Sequence, residues 1–141
     1  MKKLSLFLLP LLLFTACEEK TKPLVTIKEN LSVPIECMRF DTLNVEKDVR
    51  TQLKELYAFD QSCNLVLTVS YKKDIVCNST QNVHMKNVGK FPKSYLKLEL
   101  RRGLEMQYSY YIDLYSNVDD DDIEEAFARL RQDLIEIEGE K

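Results

Sequence analysis

From residue 96 to residue 114 the even-numbered positions read Leu, Leu, Leu, Arg, Leu, Met, Tyr, Tyr, Ile and Leu. The odd-numbered positions between Tyr95 and Tyr115 are charged, polar or tyrosine, apart from Gly103. Side chains of a strand point alternately to opposite faces, so this pattern can bury one face only as two strands folded back on each other. Arg101-Arg102-Gly103 interrupts it, and a three-residue loop with Gly103 in the left-handed conformation makes a bulged hairpin. That loop pairs Leu100 with Leu104, Leu98 with Met106 and Leu96 with Tyr108, all on one face. It also sets Glu99 opposite Glu105, a repulsion that Arg101 or Arg102 would relieve. A sheet with one apolar face must be covered, and the rest of the chain supplies the cover.

Val45, Val49, Leu53 and Leu56 recur at helical spacing, with Asn44 placed to cap the helix and Glu46 four residues before Arg50. This helix is predicted to end near Phe59-Asp60. A second stripe, Ile123, Phe127, Leu130, Leu134 and Ile137, predicts a C-terminal helix with Glu125 four residues before Arg129 and Gly139 placed to end it. Leu31, Val33, Ile35 and Cys37 alternate and read as a strand that lies at a sheet edge or starts after Pro34, which lacks an amide proton. Asn64 to Tyr71 alternates again, Lys72-Lys73-Asp74 reads as a turn, and Ile75 with Cys77 as a short strand. Residues 78–94 carry the weakest signal: Val83, Met85 and Val88 suggest an irregular strand, broken by Gly89 and Pro92. The order β-α-β-β-β-β-α predicts an α+β domain, an antiparallel sheet of four to five strands with two amphipathic helices packed on one face.

A chain of 141 residues has room for one such domain. Its net charge of −3 argues against nucleic acid as the partner. One His and three Gly argue against a His-rich metal site and a Gly-rich phosphate loop.

Ahead of the domain, Met1-Lys2-Lys3 is basic, and Leu4 to Phe14 is an apolar run broken only by Ser5 and Pro10. As a helix the run rises about 16 Å, half of a hydrocarbon core of ~30 Å, so it reads as a signal peptide and not a span. Leu13-Phe14-Thr15-Ala16-Cys17 resembles the lipobox of bacterial lipoproteins, although Phe14 stands where Leu, Val or Ile is usual. The resemblance implies cleavage after residue 16, acylation of Cys17 and attachment to the cell envelope, most simply the outer membrane, on its periplasmic or surface side. Three acyl chains would hold the protein firmly, where one chain alone binds marginally. Residues 17–23 then form a polar tether and residues 24–141 the folded domain. Glu18-Glu19 resembles a surface-export signal, and Asp41-Thr42-Leu43 resembles an acceptor motif for O-linked glycosylation at Thr42, both of certain Gram-negative bacteria.

An exported chain can form disulfides, and the mature domain carries Cys37, Cys63 and Cys77. Direct pairing of Cys63 with Cys77 would centre a turn on Ser70, whereas the turn signals centre on Lys73. The reading is therefore one bridge from Cys37 to either Cys63 or Cys77, with one thiol left over. The cysteine spacings with a single His form no zinc motif, and no nucleophile–base pair stands out, so neither a metal, a cofactor nor catalysis is expected. Asp119 to Asp122 lacks the alternating ligands of a calcium loop and suits the first turn of a helix. His84, between Val83 and Met85, is read as solvent-facing. Residues 72–102 are basic and residues 113–141 acidic. The odd-numbered face of the hairpin gathers Tyr95, Tyr111 and Tyr115 with Lys93 and Lys97, a composition suited to recognising a protein partner. The expected function is a lipid-anchored protein that acts by contact, as an accessory or immunity-type inhibitor; a small-ligand-binding module is the alternative. Cys17→Ser is expected to release the protein from the membrane fraction, as read by sedimentation and immunoblotting. Continued sedimentation with membranes would rule out the lipid anchor.

Overall fold

The computed structural model describes residues 21–76 and 91–136. Its elements are β1 (Leu24–Ile27), β2 (Arg39–Phe40), α1 (Lys47–Leu56), β3 (Leu65–Lys72), β4 (Ser94–Arg102), β5 (Glu105–Leu114) and α2 (Asp120–Leu134). The fold is α+β, with one five-stranded sheet in the order β1-β5-β4-β3-β2 and two helices. The sheet is mixed: β2 lies parallel to β3 and the other pairings are antiparallel, which corrects the expected all-antiparallel sheet.

The alternation of the hairpin sets the core. Leu96, Leu98, Leu100, Tyr108, Tyr110, Ile112 and Leu114 are buried, as are Leu65, Leu67 and Val69 across the sheet on β3. Val49 and Leu53 of α1 join the same cluster, with Ile123, Ala126, Phe127, Leu130 and Leu134 of α2. Phe127 meets Tyr57 edge-to-face and Phe59 at a tilt, each at 6.2 Å between ring centres.

The hairpin register differs from the expected one. Leu100 faces Tyr108, Leu98 faces Tyr110 and Leu96 faces Ile112, while Arg102 faces Glu105 across the two-residue loop Gly103-Leu104. Gly103 does take a left-handed φ of 61°. Such a loop alone would set Leu100 opposite Gln107 and turn the two apolar sets to opposite faces. A bulge between Leu100 and Arg101 on one side and Met106 and Tyr108 on the other adds one residue to β5 and restores the match. Beyond the bulge the phase is lost, so Met106 opposes Arg101 and Leu104 is 97% exposed. Glu99 faces Ser109 and Glu105 pairs with Lys28, so the expected repulsion is absent.

The other corrections lie in the connections. Residues 31–37 form no strand: Leu31 and Ile35 are buried but Val33 is exposed, and the Ile35 amide donates to the Leu134 carbonyl at the end of α2 (2.8 Å). An amide used on a helix terminus is lost to a sheet ladder. Ile75 and Val76 form no strand either, although the Ile75 amide donates to the Lys93 carbonyl (2.7 Å). Asn44 does not cap α1. It adopts a φ of 61° in the turn before it, and Glu46 is the N-cap residue, with no side-chain bond. The helix ends at Leu56. Arg50 leaves Glu46 for the Thr42 and Val45 carbonyls (3.2 and 3.1 Å), and Glu46 pairs with Lys73. In α2, Arg129 pairs with Asp133 (2.9 Å). Cys77, His84, Ile137 and Gly139 lie outside the described residues.

Two cysteines explain the parallel pairing. Cys37 and Cys63 are bonded, with Cα atoms 6.0 Å apart, and each stands two residues before the strand that follows it. The bond therefore holds the starts of β2 and β3 side by side and pointing the same way, with α1 as the crossover that parallel neighbours require. Closing 26 residues stabilises the fold by about 3.5 kcal/mol in the chain-entropy model. Phe127→Ala, which empties a site where 1% of the residue is exposed, is expected to cost about 3–5 kcal/mol in urea denaturation. A loss of less than about 1 kcal/mol, the scale of an ordinary surface change, would place the helix stripe outside the core.

Candidate interaction surface

Residues opposite one another in a register share a face, so the strand pairings lay out the outer surface of the sheet row by row. One row runs Leu24, Tyr111, Lys97, Ser70 across β1, β5, β4 and β3. Its neighbour toward the hairpin loop runs Thr26, Ser109, Glu99, Thr68, and on the other side Asp113, Tyr95 and Lys72 form a third. The odd-numbered residues from Tyr95 to Glu99 and from Ser109 to Asp113 are half-exposed, in contrast to their buried even-numbered neighbours.

The expected residues come together here with changed partners. Tyr111 faces Lys97 and not Lys93, because the register moved. Tyr95 lies on the diagonal, and the two rings stack at 5.8 Å with planes 23° apart. The Tyr111 hydroxyl donates to Asp113 Oδ1 (2.7 Å), and that bond, with partial burial, pushes its pKa up to about 12. Tyr111 is thus a neutral donor held in a fixed direction at any physiological pH. Lys93 and Tyr115 are exposed at the strand ends, the Lys93 amide donating to the Leu114 carbonyl (2.8 Å). Glu105 and Gln107 leave this face at the bulge; Gln107 is buried, its amide group donating to the Glu105 side chain (3.2 Å).

Beside the tyrosines lies a charge cluster in which Arg101 pairs with Glu99, one of the two partners expected, and Lys97 joins it. Glu99 Oε1 accepts from Lys97 Nζ (3.0 Å) and Arg101 Nη2 (3.3 Å), while Arg101 Nη1 donates to the Leu104 carbonyl (3.1 Å). Burial alone would raise the Glu99 pKa; the bonds and charges of Lys97 and Arg101 outweigh it and hold the carboxyl below its usual range. One carboxylate between two cations leaves an excess of positive charge, while in the row at the strand end Lys72 is balanced by Asp113.

Elsewhere, Asp119 and Asp122 form a capping box at the start of α2, each accepting from the other's amide (3.0 and 3.1 Å). Among the described residues no group of three or more His, Cys, Asp or Glu is arranged to hold a metal ion. Tyr108, its pKa raised chiefly by burial, donates to Asp133 (3.1 Å) and ties β5 to α2. Thr42 is half-exposed in the turn between β2 and α1, where Asp41 Oδ1 accepts from the Leu43 amide (3.0 Å). An open cleft of about 420 Å³ runs beside the disulfide, with Glu36, Asn64 and Arg102 among its polar lining. No helix among the described residues is long and apolar enough to cross a membrane. Comparison with known proteins found no matching family model, no curated relative and no solved structure of similar fold.

Because the Glu99 pKa is depressed in the folded state, its contribution to stability is complete above the unfolded value of ~4.3 and is lost as pH falls through the folded value. Glu99→Gln is therefore expected to lower stability at neutral pH by about 0.2–1 kcal/mol, the range of partly exposed pairs. Denaturation curves of the two proteins should converge in acid. A difference that persists unchanged into acid would show that the loss is not one of charge.

Proposed function

We propose that the protein is a lipid-anchored component of the bacterial cell envelope, held by acyl chains on Cys17, that acts by binding a protein partner and not by catalysis. In this reading both helices cover the even-numbered face of the sheet, and the odd-numbered face is the working surface. The observation that carries it is the Tyr95–Tyr111 stack beside Lys97, half-exposed on the face opposite the buried leucines. Tyrosine offers large contact area with few torsions and a polar tip, and residues of this kind concentrate binding energy at interfaces. Lys97 and Arg101 beside the stack, with Glu99 as the carboxylate between them, leave a net positive charge that favours a partner with an acidic patch, such as an accessory subunit or a toxin to be inhibited.

A second reading rests on the cleft lined by Glu36, Asn64 and Arg102, whose volume of about 420 Å³ matches a small ligand. One double variant separates the two. Tyr111→Ala/Tyr115→Ala removes aromatic area from the sheet face and leaves the cleft intact. If the face is the interface, the folded variant is expected to lose about 2 kcal/mol or more against the purified partner, roughly 30-fold in Kd. Unchanged affinity in surface plasmon resonance would move the interaction elsewhere, to the acidic side of α2 around Asp121, Glu124 and Glu125 or to the cleft.

A further inference from the structure

We propose that the end of the sheet where the chain enters it is a membrane-docking end, seated on the surface of the bilayer that holds Cys17. This rests on the lipid-anchor reading and adds an orientation and a second contact to it. Cys17 precedes Thr21 by four residues, which reach about 14 Å when fully extended. The Thr21 hydroxyl donates to the Asp113 carbonyl, and Leu24 pairs with Tyr111, so the tether meets the sheet at the end of β5. A headgroup layer is about 5–8 Å thick, so the tether holds this end within about 10 Å of the lipid surface, and whatever the end carries is brought close to it.

It carries what an interfacial contact requires. The Ile75 amide bonds to the Lys93 carbonyl and the Lys93 amide to the Leu114 carbonyl. Asp74 and Asn117 bond each other twice (3.0 and 2.9 Å). Residues 72–76, 91–94 and 113–117 therefore converge at the same end as Thr21. Their exposed apolar side chains are Val76 (73%) and Phe91 (49%), with Leu24 (68%) on the adjoining edge strand. Lys22, Lys72 and Lys93 are exposed among them, with Asp74 as the exposed carboxylate, bonded to Asn117. Apolar and aromatic groups that enter the headgroup region, flanked by lysines whose stems lie along it, bind membranes by combined burial and charge attraction. Asp119, Asp120 and Asp121 begin α2 at the same end, so it is the sheet side of this end that meets anionic lipid. The hairpin loop lies eight residues of β5 further on, about 26 Å away, and points into solvent with Leu104.

The chain has no tryptophan, so a single introduced one reports its own position. The lipid-modified, full-length Phe91→Trp and Leu104→Trp proteins are reconstituted into vesicles of phosphatidylethanolamine and phosphatidylglycerol, with and without brominated acyl chains. The expected result is blue-shifted emission, quenched by bromine, for Phe91→Trp, and water-like, unquenched emission for Leu104→Trp. Vesicle-bound protein with water-like, unquenched emission at position 91, or quenching at position 104 instead, overturns the docking while the anchor stands. Protein whose mass shows no acyl chains and which fails to float with vesicles overturns both.

Discussion

Leu96, Leu98 and Leu100 are fully buried on β4, the middle strand of the sheet, and every other part of the fold is arranged around that strand. Both of its edges are paired over most of their length, by β3 on one side and β5 on the other. Its buried face is extended by Leu67 and Val69 on β3 and by Tyr108, Tyr110 and Ile112 on β5. A slip of one residue in either pairing would turn a strand's apolar set out to water, so the register is strongly determined. The bulge near Gln107 serves this constraint: it adjusts a two-residue loop to a pattern that requires even positions opposite even positions.

The two edges of the sheet are finished differently. At one, β1 adds four residues against β5, with Val25 packed against the core and Leu24 left exposed. At the other, β2 pairs through only two residues, too few to persist by ladder bonds alone. It is held from both sides by the Cys37–Cys63 bond, by the Asp60 amide on the Met38 carbonyl (2.9 Å) and by Phe40 packing on Phe59 at 5.2 Å. Short edges of this kind offer little backbone to stray strands, which limits edge-to-edge association.

How much of this was legible in the sequence follows from which signals are periodic. The hairpin, β3 and both helices announce themselves by repeats of two or near 3.6, and their buried apolar residues follow those repeats except beside the bulge, where Gln107 is buried and Leu104 and Met106 are exposed. The register was not legible, because a shift of four residues in summed position leaves even residues opposite even ones and the apolar pattern unchanged. The two-residue β2 has no period to read, and its parallel direction depends on a disulfide that joins distant positions. Residues 31–37 alternate by accident of composition: Leu31 and Ile35 reach the core from an irregular segment. The tyrosine and lysine positions of the outer face and the Arg101–Glu99 pair were legible from the sequence, but the stack of Tyr95 on Tyr111 required the register.

Those side-chain interactions bear on what the proposed contact would cost. Ordering a long side chain at an interface costs about 0.5–1.5 kcal/mol each, and a partner must offset that cost before it gains affinity. Here Tyr111 is already directed by Asp113 and stacked on Tyr95, and Lys97 and Arg101 are already gathered on Glu99. Each rests on a strand whose opposite side chains are locked in the core, so the backbone beneath them is fixed as well. The loss of freedom has occurred during folding, so if the proposed partner binds this face, the same burial of Leu96, Leu98 and Leu100 that determines the sheet lowers the cost of binding on the other side.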